Sequence, residues 1–206
     1  DKLMLKLLAG IPLKLNGKYN PPETYHFLST DSRTIVSNSI FFALTGIHFN
    51  GNDFLPQILT DKTILGVGTI ENQGWENYIQ VPDALYLLAS LCRKYIQLFD
   101  IYKIALTGST GKSSTKEMLA QVLNTSSPTL KTQANENNMI GLCKTIPRIR
   151  PEHRFGVFEL GTNAFGEIAA LADICNPDAA IIINIGPSHL EKLIDEDGVF
   201  REKTAL

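Results

Sequence analysis

From residue 101 onward, short apolar runs alternate with stretches whose apolar residues recur every three to four positions. The runs at 101–107, 155–160 and 179–185 predict strands, and the stretches at 112–124 and 164–174 predict helices. Ala179-Ala180-Ile181-Ile182-Ile183 is wholly apolar, the pattern of a parallel strand buried on both faces. Strand, helix, strand, helix, strand is the opening of a doubly wound, mostly parallel α/β sheet. Ahead of it, Leu85, Leu88, Ala89, Cys92, Ile96 and Phe99 share a helical face over 83–99, with Asp83 as N-cap behind Pro82.

The first 80 residues follow another pattern. Ile40–Leu44 and Ile64–Gly68 are short strand-like runs between segments rich in Asn, Gly and Asp, such as 49–53. They predict a small α/β domain over 1–82, followed by a second domain over 83–206. Leu3 to Leu15 is apolar but interrupted by Lys6, Gly10, Pro12 and Lys14, and no small-residue cleavage site follows. It predicts a short amphipathic helix rather than a signal peptide or membrane span.

Composition narrows the function classes. The chain has 206 residues, of which 44% are hydrophobic and 19% charged, enough for a sizeable core. A net charge of −2 gives no electrostatic basis for binding nucleic acid or an anionic membrane. Cys92, Cys143 and Cys175 are odd in number and form no C-x-x-C, which fits reduced thiols in a cytoplasmic protein rather than disulfides or a zinc site. A monomer is expected.

The candidate chemistry sits at the strand ends. After the run 101–106 the chain reads Thr107-Gly108-Ser109-Thr110-Gly111-Lys112-Ser113-Ser114-Thr115. Glycines let successive N–H groups curl toward phosphate oxygens, and a helix beginning near Lys112 adds its positive dipole end. Lys112 can reach β- and γ-phosphates, and the Ser113 hydroxyl suits Mg²⁺. The full Walker pattern wants a glycine at 106, where this chain has Leu106; the motif is the shorter G-x-x-G-K-S. The competing reading is a glycine-rich strand-to-helix turn with an exposed lysine.

Two more strand ends carry polar groups. Glu159 closes the run 155–160 and can hold Mg²⁺ directly or through water, or be a solvated acid. His189 follows the turn Gly186-Pro187 after the third run, either as a metal ligand or as a surface or capping residue. Lys203, on its own, reads as a surface lysine.

Together these segments resemble the Mur ligase family, the ATP-dependent amide-forming enzymes of peptidoglycan precursor synthesis. Asp31-Ser32-Arg33, Phe41–Gly46 and Phe49–Phe54 are similar to the family's UDP-binding stretch. Residues 107–118 resemble its short phosphate loop, 132–141 its T-x-G-N-x-N-N-x-I-G, 159–168 its E-L-G-x-N-x-x-G-E-I, and 184–191 its N-I-G-P-A-H-L-E. The ending Thr115-Lys116-Glu117-Met118 points to the branch that adds D-alanyl-D-alanine to UDP-N-acetylmuramoyl-tripeptide.

The resemblance implies roles. Gly108, Ser109, Thr110, Gly111, Lys112, Ser113 and Ser114 would bind the phosphates of ATP. Ser113, Glu159 and His189 would surround two Mg²⁺ ions. Lys203 falls where several members carry a carbamylated lysine, so Lys112, Glu159, His189 and Lys203 form the expected catalytic set. Asp31, Ser32 and Arg33 would contact the UDP portion, and Asn135 and Asn138 the UDP-sugar-peptide.

Departures include Ser113 for threonine, Ala134 for glycine, Asn50 for aspartate and Phe165 for proline. Against the family's three domains, the chain stops inside the second, so on its own it is expected to be inactive. Still open are another ligase of the superfamily (MurE-like or folylpolyglutamate-synthase-like), an unrelated phosphate-loop NTPase or kinase, and a non-catalytic UDP-sugar-binding module.

Overall fold

In the computed structural model, residue 25, residues 27–46 and residues 49–206 are described, and the helix expected over 3–15 lies outside them. The chain divides into two compact units, Asp1–Leu91 and Cys92–Leu206. Both are α/β, as expected, and both sheets are parallel, which the sequence pattern predicts for the second unit alone.

In the first unit, β1 (Phe27–Ser29), β2 (Ser39–Phe42), β3 (Leu65–Gly68) and β4 (Tyr78–Gln80) form a parallel sheet in that order. β2 and β3 occupy the two apolar runs. β1 and β4 are three residues each, too short to show a period in the sequence. A 3₁₀ turn, Gly51–Phe54, leads into α1 (Leu55–Ile58). Phe41, Ala43, Leu55, Ile58, Leu59, Ile64 and Tyr78 form the core, with Trp75 against it. Asn50 Oδ1 accepts the Asn52 N–H at 3.1 Å and caps the 3₁₀ turn, so asparagine supplies the acceptor that aspartate would. Glycine is required at 51, because a Cβ there would lie 2.5 Å from the Leu44 carbonyl oxygen.

Helix α2 (Ala84–Ile96) starts behind Asp83, whose Oδ1 accepts the Tyr86 N–H at 2.9 Å. The second unit holds β5 (Tyr102–Thr107), β6 (Thr129–Lys131), β7 (Phe155–Glu159) and β8 (Ala179–Ile182), paired in the order β6-β7-β5-β8 and parallel throughout. Between them run α3 (Lys112–Asn124), α4 (Met139–Thr145) and α5 (Glu167–Cys175). Helices α6 (Leu190–Leu193) and α7 (Glu196–Lys203) follow β8. β5 is central. The chain builds β7 and β6 on one side of it, then crosses to β8 on the other. The carboxyl end of β5 is therefore a topological switch point, where α/β sheets bind ligands.

Several boundaries differ from expectation. β6 and α4 were not anticipated: three and seven residues carry little periodic signal. The helix expected from 164 begins at Glu167. Its Oε2 accepts the N–H groups of Asn163 at 2.6 Å and Ala164 at 3.2 Å, which shapes 162–166 into a loop before the helix. β8 ends at Ile182 instead of 185, and its residues alternate between half-buried and exposed rather than being buried on both faces. Among the described residues it lies at one edge of this sheet, as β6 does at the other.

Candidate active site

The phosphate loop leaves β5 at Thr107 and enters α3 at Lys112. Gly111 is the N-cap of α3 with φ 77°, a left-handed conformation that costs a side-chain-bearing residue about 1 kcal/mol or more. Thr115 is the first residue whose N–H closes a helical bond, to the Gly111 carbonyl at 3.0 Å. The amides of the preceding turn thus remain as donors at the helix's positive end.

Two lysines converge on one oxygen of this loop. Lys112 Nζ donates to the Gly108 carbonyl at 2.8 Å, and Lys203 Nζ donates to the same oxygen at 3.1 Å. Lys203 is 1% exposed, which corrects its reading as a surface lysine. Helix α7 carries it inward, 95 positions along the chain from Gly108. Burial, and next the neighbouring Lys112 charge, push the Lys203 amine below its ordinary range.

Below the lowered pKa both folded and unfolded states hold the proton, and the cost of burying the cation is fully present. Between that value and 10.5 the unfolded chain binds more protons, so stability rises with pH. Lys203→Met should make this rise shallower, as read by urea denaturation at neutral pH and near pH 10.

Glu159 ends β7 and is 2% exposed, which excludes the solvated-acid reading. Its Oε1 accepts from the Ser113 hydroxyl at 3.2 Å and from Asn137 Nδ2 at 3.0 Å. Among the described residues, the other oxygen, Oε2, has no hydrogen-bond donor. Lys116 Nζ lies 3.5 Å from it, beyond good hydrogen-bond length but within ion-pair range. Lys116 is itself 1% exposed, and also sits 3.4 Å from Glu117 and 3.4 Å from the Ala134 carbonyl oxygen. A buried carboxylate that meets the Ser113 hydroxyl through Oε1 at the mouth of the phosphate loop, and whose other oxygen lacks a donor, suits a divalent cation.

The loop 132–138 backs this carboxylate. Thr132 Oγ1 accepts the Glu159 N–H at 3.0 Å, and Asn137 reaches its side chain. Glu136 is fixed by both guanidinium nitrogens of Arg148 at 2.8 Å and by Thr145 at 3.0 Å. These bonds hold Ala134 at φ 43°, a left-handed conformation at the position where the family pattern has glycine. Ala134→Gly should therefore stabilise the chain by up to about 1 kcal/mol, read as a higher urea midpoint with an unchanged slope.

The remaining expected residues fall as follows. Ser114 lies exposed in the first turn of α3. His189 is exposed at the N-cap of α6 with φ 55°, and no hydrogen bond joins it to Ser113 or Glu159. Among the described residues, no three His, Cys, Asp or Glu side chains cluster closely enough to hold a metal together. Asn135 is exposed, and Asn138 Oδ1 caps α4 by accepting the Gly141 N–H at 2.9 Å. In the first unit, Asp31 accepts from the Arg33 N–H at 3.0 Å and from its guanidinium at 2.9 and 2.6 Å, so the Asp31-Ser32-Arg33 turn is self-locked.

Sequence reasoning gave no role to Lys116, Asn137 or Asn184. Lys116 carried one usable signal: it lies four positions after Lys112, on the same side of α3.

Residues 106–206 match the model of the Mur ligase middle domain. The UDP-N-acetylmuramoyl-tripeptide–D-alanyl-D-alanine ligase of Synechocystis sp. is 36% identical over 187 residues, covering 87% of this chain and 40% of that protein. Its Bacillus subtilis counterpart is also 36% identical, over 185 residues covering 88% of this chain and 40% of that protein.

The chain belongs to the Mur ligase family.

A crystal structure of MurF from Acinetobacter baumannii matches with a TM-score of 0.83 at 34% identity, covering 87% of this chain and 40% of that one. MurF ligase from Thermotoga maritima in complex with ADP matches with a TM-score of 0.82 at 27% identity, over 88% of this chain and 42% of that one. The chain thus spans about 40% of the length of the relatives it matches.

Proposed function

We propose that this chain is part of an ATP-dependent ligase that joins D-alanyl-D-alanine to UDP-N-acetylmuramoyl-tripeptide. The observation that carries the reading is the convergence of Lys112, Lys203, Ser113 and Glu159 on the mouth of one phosphate loop. The relatives' names, and the ADP held by the Thermotoga maritima protein, support nucleotide and substrate class.

The chemistry follows from charge. The tripeptide carboxylate and the γ-phosphate are both anionic, so a site that brings them together must neutralise them. Lys112 is free to leave the Gly108 carbonyl and reach phosphate, as a partly exposed side chain on a helix end. The amides at the start of α3 orient the phosphate chain without reorganisation. Glu159 and Ser113 would hold Mg²⁺, which when bound supplies charge neutralisation at the phosphoryl oxygens. Lys203, with its lowered affinity for a proton, presents more neutral amine than an ordinary lysine, the form that carbamylation requires. The tripeptide carboxylate attacks the γ-phosphorus and ADP leaves, giving an acyl phosphate; exclusion of water protects it until the dipeptide amine attacks the acyl carbon and inorganic phosphate leaves.

Among the described residues no helix is long and apolar enough to cross a membrane. Cys92, Cys143 and Cys175 are free and buried, in keeping with a reducing cytoplasmic setting.

The test is ADP and phosphate release by the whole protein with UDP-N-acetylmuramoyl-tripeptide, with and without D-alanyl-D-alanine. Release that requires both is expected. Release indifferent to both would overturn the assignment.

A further inference from the structure

The tip of the phosphate loop is already occupied by the protein itself. Asn184, just past the end of β8, sends its side-chain oxygen Oδ1 to the N–H groups of Ser109 and Thr110, each at 3.0 Å. Its Nδ2 donates to the Thr110 carbonyl at 3.1 Å and to Thr110 Oγ1 at 3.2 Å. The two ends of the amide are unambiguous, because donors face one and acceptors the other. The Asn184 backbone carbonyl takes a further bond from the Ser109 N–H at 3.2 Å.

The same segment grips the Ser109 side chain. Ser109 Oγ donates to the Gly186 carbonyl at 2.8 Å and accepts the Gly186 N–H at 3.0 Å. Ser188 Oγ adds a contact at 3.1 Å.

Phosphate loops bind anions by pointing free backbone N–H groups at them. Here two of those groups point at a carboxamide oxygen. The short motif, with one glycine at 108 and the next at 111, leaves the loop no extra residues to make up the loss.

We infer that Asn184 is a positioning residue that withdraws the Ser109 and Thr110 amides from phosphate recognition. The anion is then bound by the amides of Gly111 to Ser114 and by Lys112, at the helix end alone. Asn184 fixes the loop so that those donors are aimed before the ligand arrives, which lowers the cost of ordering them on binding. This rests on the nucleotide-binding reading above, and the experiment separates the two.

Backbone amide resonances of the whole protein report each group directly. In the free protein, the Ser109 and Thr110 amides should exchange with deuterium slowly. In Asn184→Ala they should exchange at least about tenfold faster, as expected for the loss of a hydrogen bond. On titration with inorganic pyrophosphate or ADP, the Gly111 to Ser114 resonances should move while those of Ser109 and Thr110 hold still. Asn184→Ala should release the latter two to follow the ligand and weaken pyrophosphate binding about tenfold. If Asn184→Ala does not fold, Asn184→Asp serves. It keeps an acceptor for the two amides, so their slow exchange should persist, while its charge beside the loop weakens pyrophosphate.

Ser109 and Thr110 resonances that move as far as those of Gly111 to Ser114 would overturn the inference. So would rapid exchange of these amides in the unaltered protein. If neither probe moves any resonance, the nucleotide reading fails, and the exchange rates alone still decide the role of Asn184.

Discussion

Glu159→Ala is expected to lower the free energy of unfolding by about 3 kcal/mol and to abolish ATP-dependent turnover. The stability loss comes from the partner left behind. Lys116 is 1% exposed, and its buried counter-charge is the Glu159 carboxylate. Removing one member of a buried pair typically costs about 3–5 kcal/mol, because the other stays charged in a poorly solvating interior. The lower end is expected here because Glu117, half exposed, still lies 3.4 Å from Lys116. Ser113 and Asn137 also lose their acceptor on that carboxylate.

A double-mutant cycle separates charge from shape. Glu159→Gln combined with Lys116→Met replaces two ions by neutral groups of similar size, so most of the stability should return while turnover stays absent. Urea denaturation of the four proteins of the cycle, together with Glu159→Ala, checks this. An unchanged midpoint in Glu159→Ala would mean that the pair contributes nothing, and the account of the β7 end would be wrong.

Lys112→Ala is expected to do the reverse, leaving the fold intact while lowering kcat by about 100- to 1000-fold, the usual cost of one preorganised charge-stabilising donor. The side chain is only partly buried, and its bond to the Gly108 carbonyl is shared with Lys203, so that oxygen keeps a donor. There is a second readout. The Lys112 charge is one of the two causes that lower the Lys203 pKa, so its removal should move that amine back toward 10.5. The rise of stability with pH should become shallower, in the same sense as Lys203→Met but by less, since burial is the larger cause. Steady-state kinetics and denaturation across pH check both.

Local pattern carried much of this. The helix expected over 112–124 is α3, residue for residue, because its glycine-rich entry and its apolar period are both local signals. β5 and β7 lie within a residue of the expected spans, since buried parallel strands read as apolar runs. Short elements were not legible: β1, β4 and β6 are three residues each, and they exist because neighbouring strands pair with them. A three-residue segment cannot display a repeat.

The sequence by itself determined the chemistry available: a phosphate loop at a strand end, an acid at the next strand end, and ordered segments similar to one ligase family. Only the tertiary structure decided which groups meet. Lys203 reaches Gly108 across 95 positions and Asn184 reaches Ser109 across 75, and no spacing rule spans such separations. The physical reason is the crossover at β5. Folding the chain first to one side of that strand and then to the other brings the ends of β5, β7 and β8 to one edge. There burial turns a surface-type lysine into a site residue, and an ordinary strand-end asparagine into the clasp of the loop.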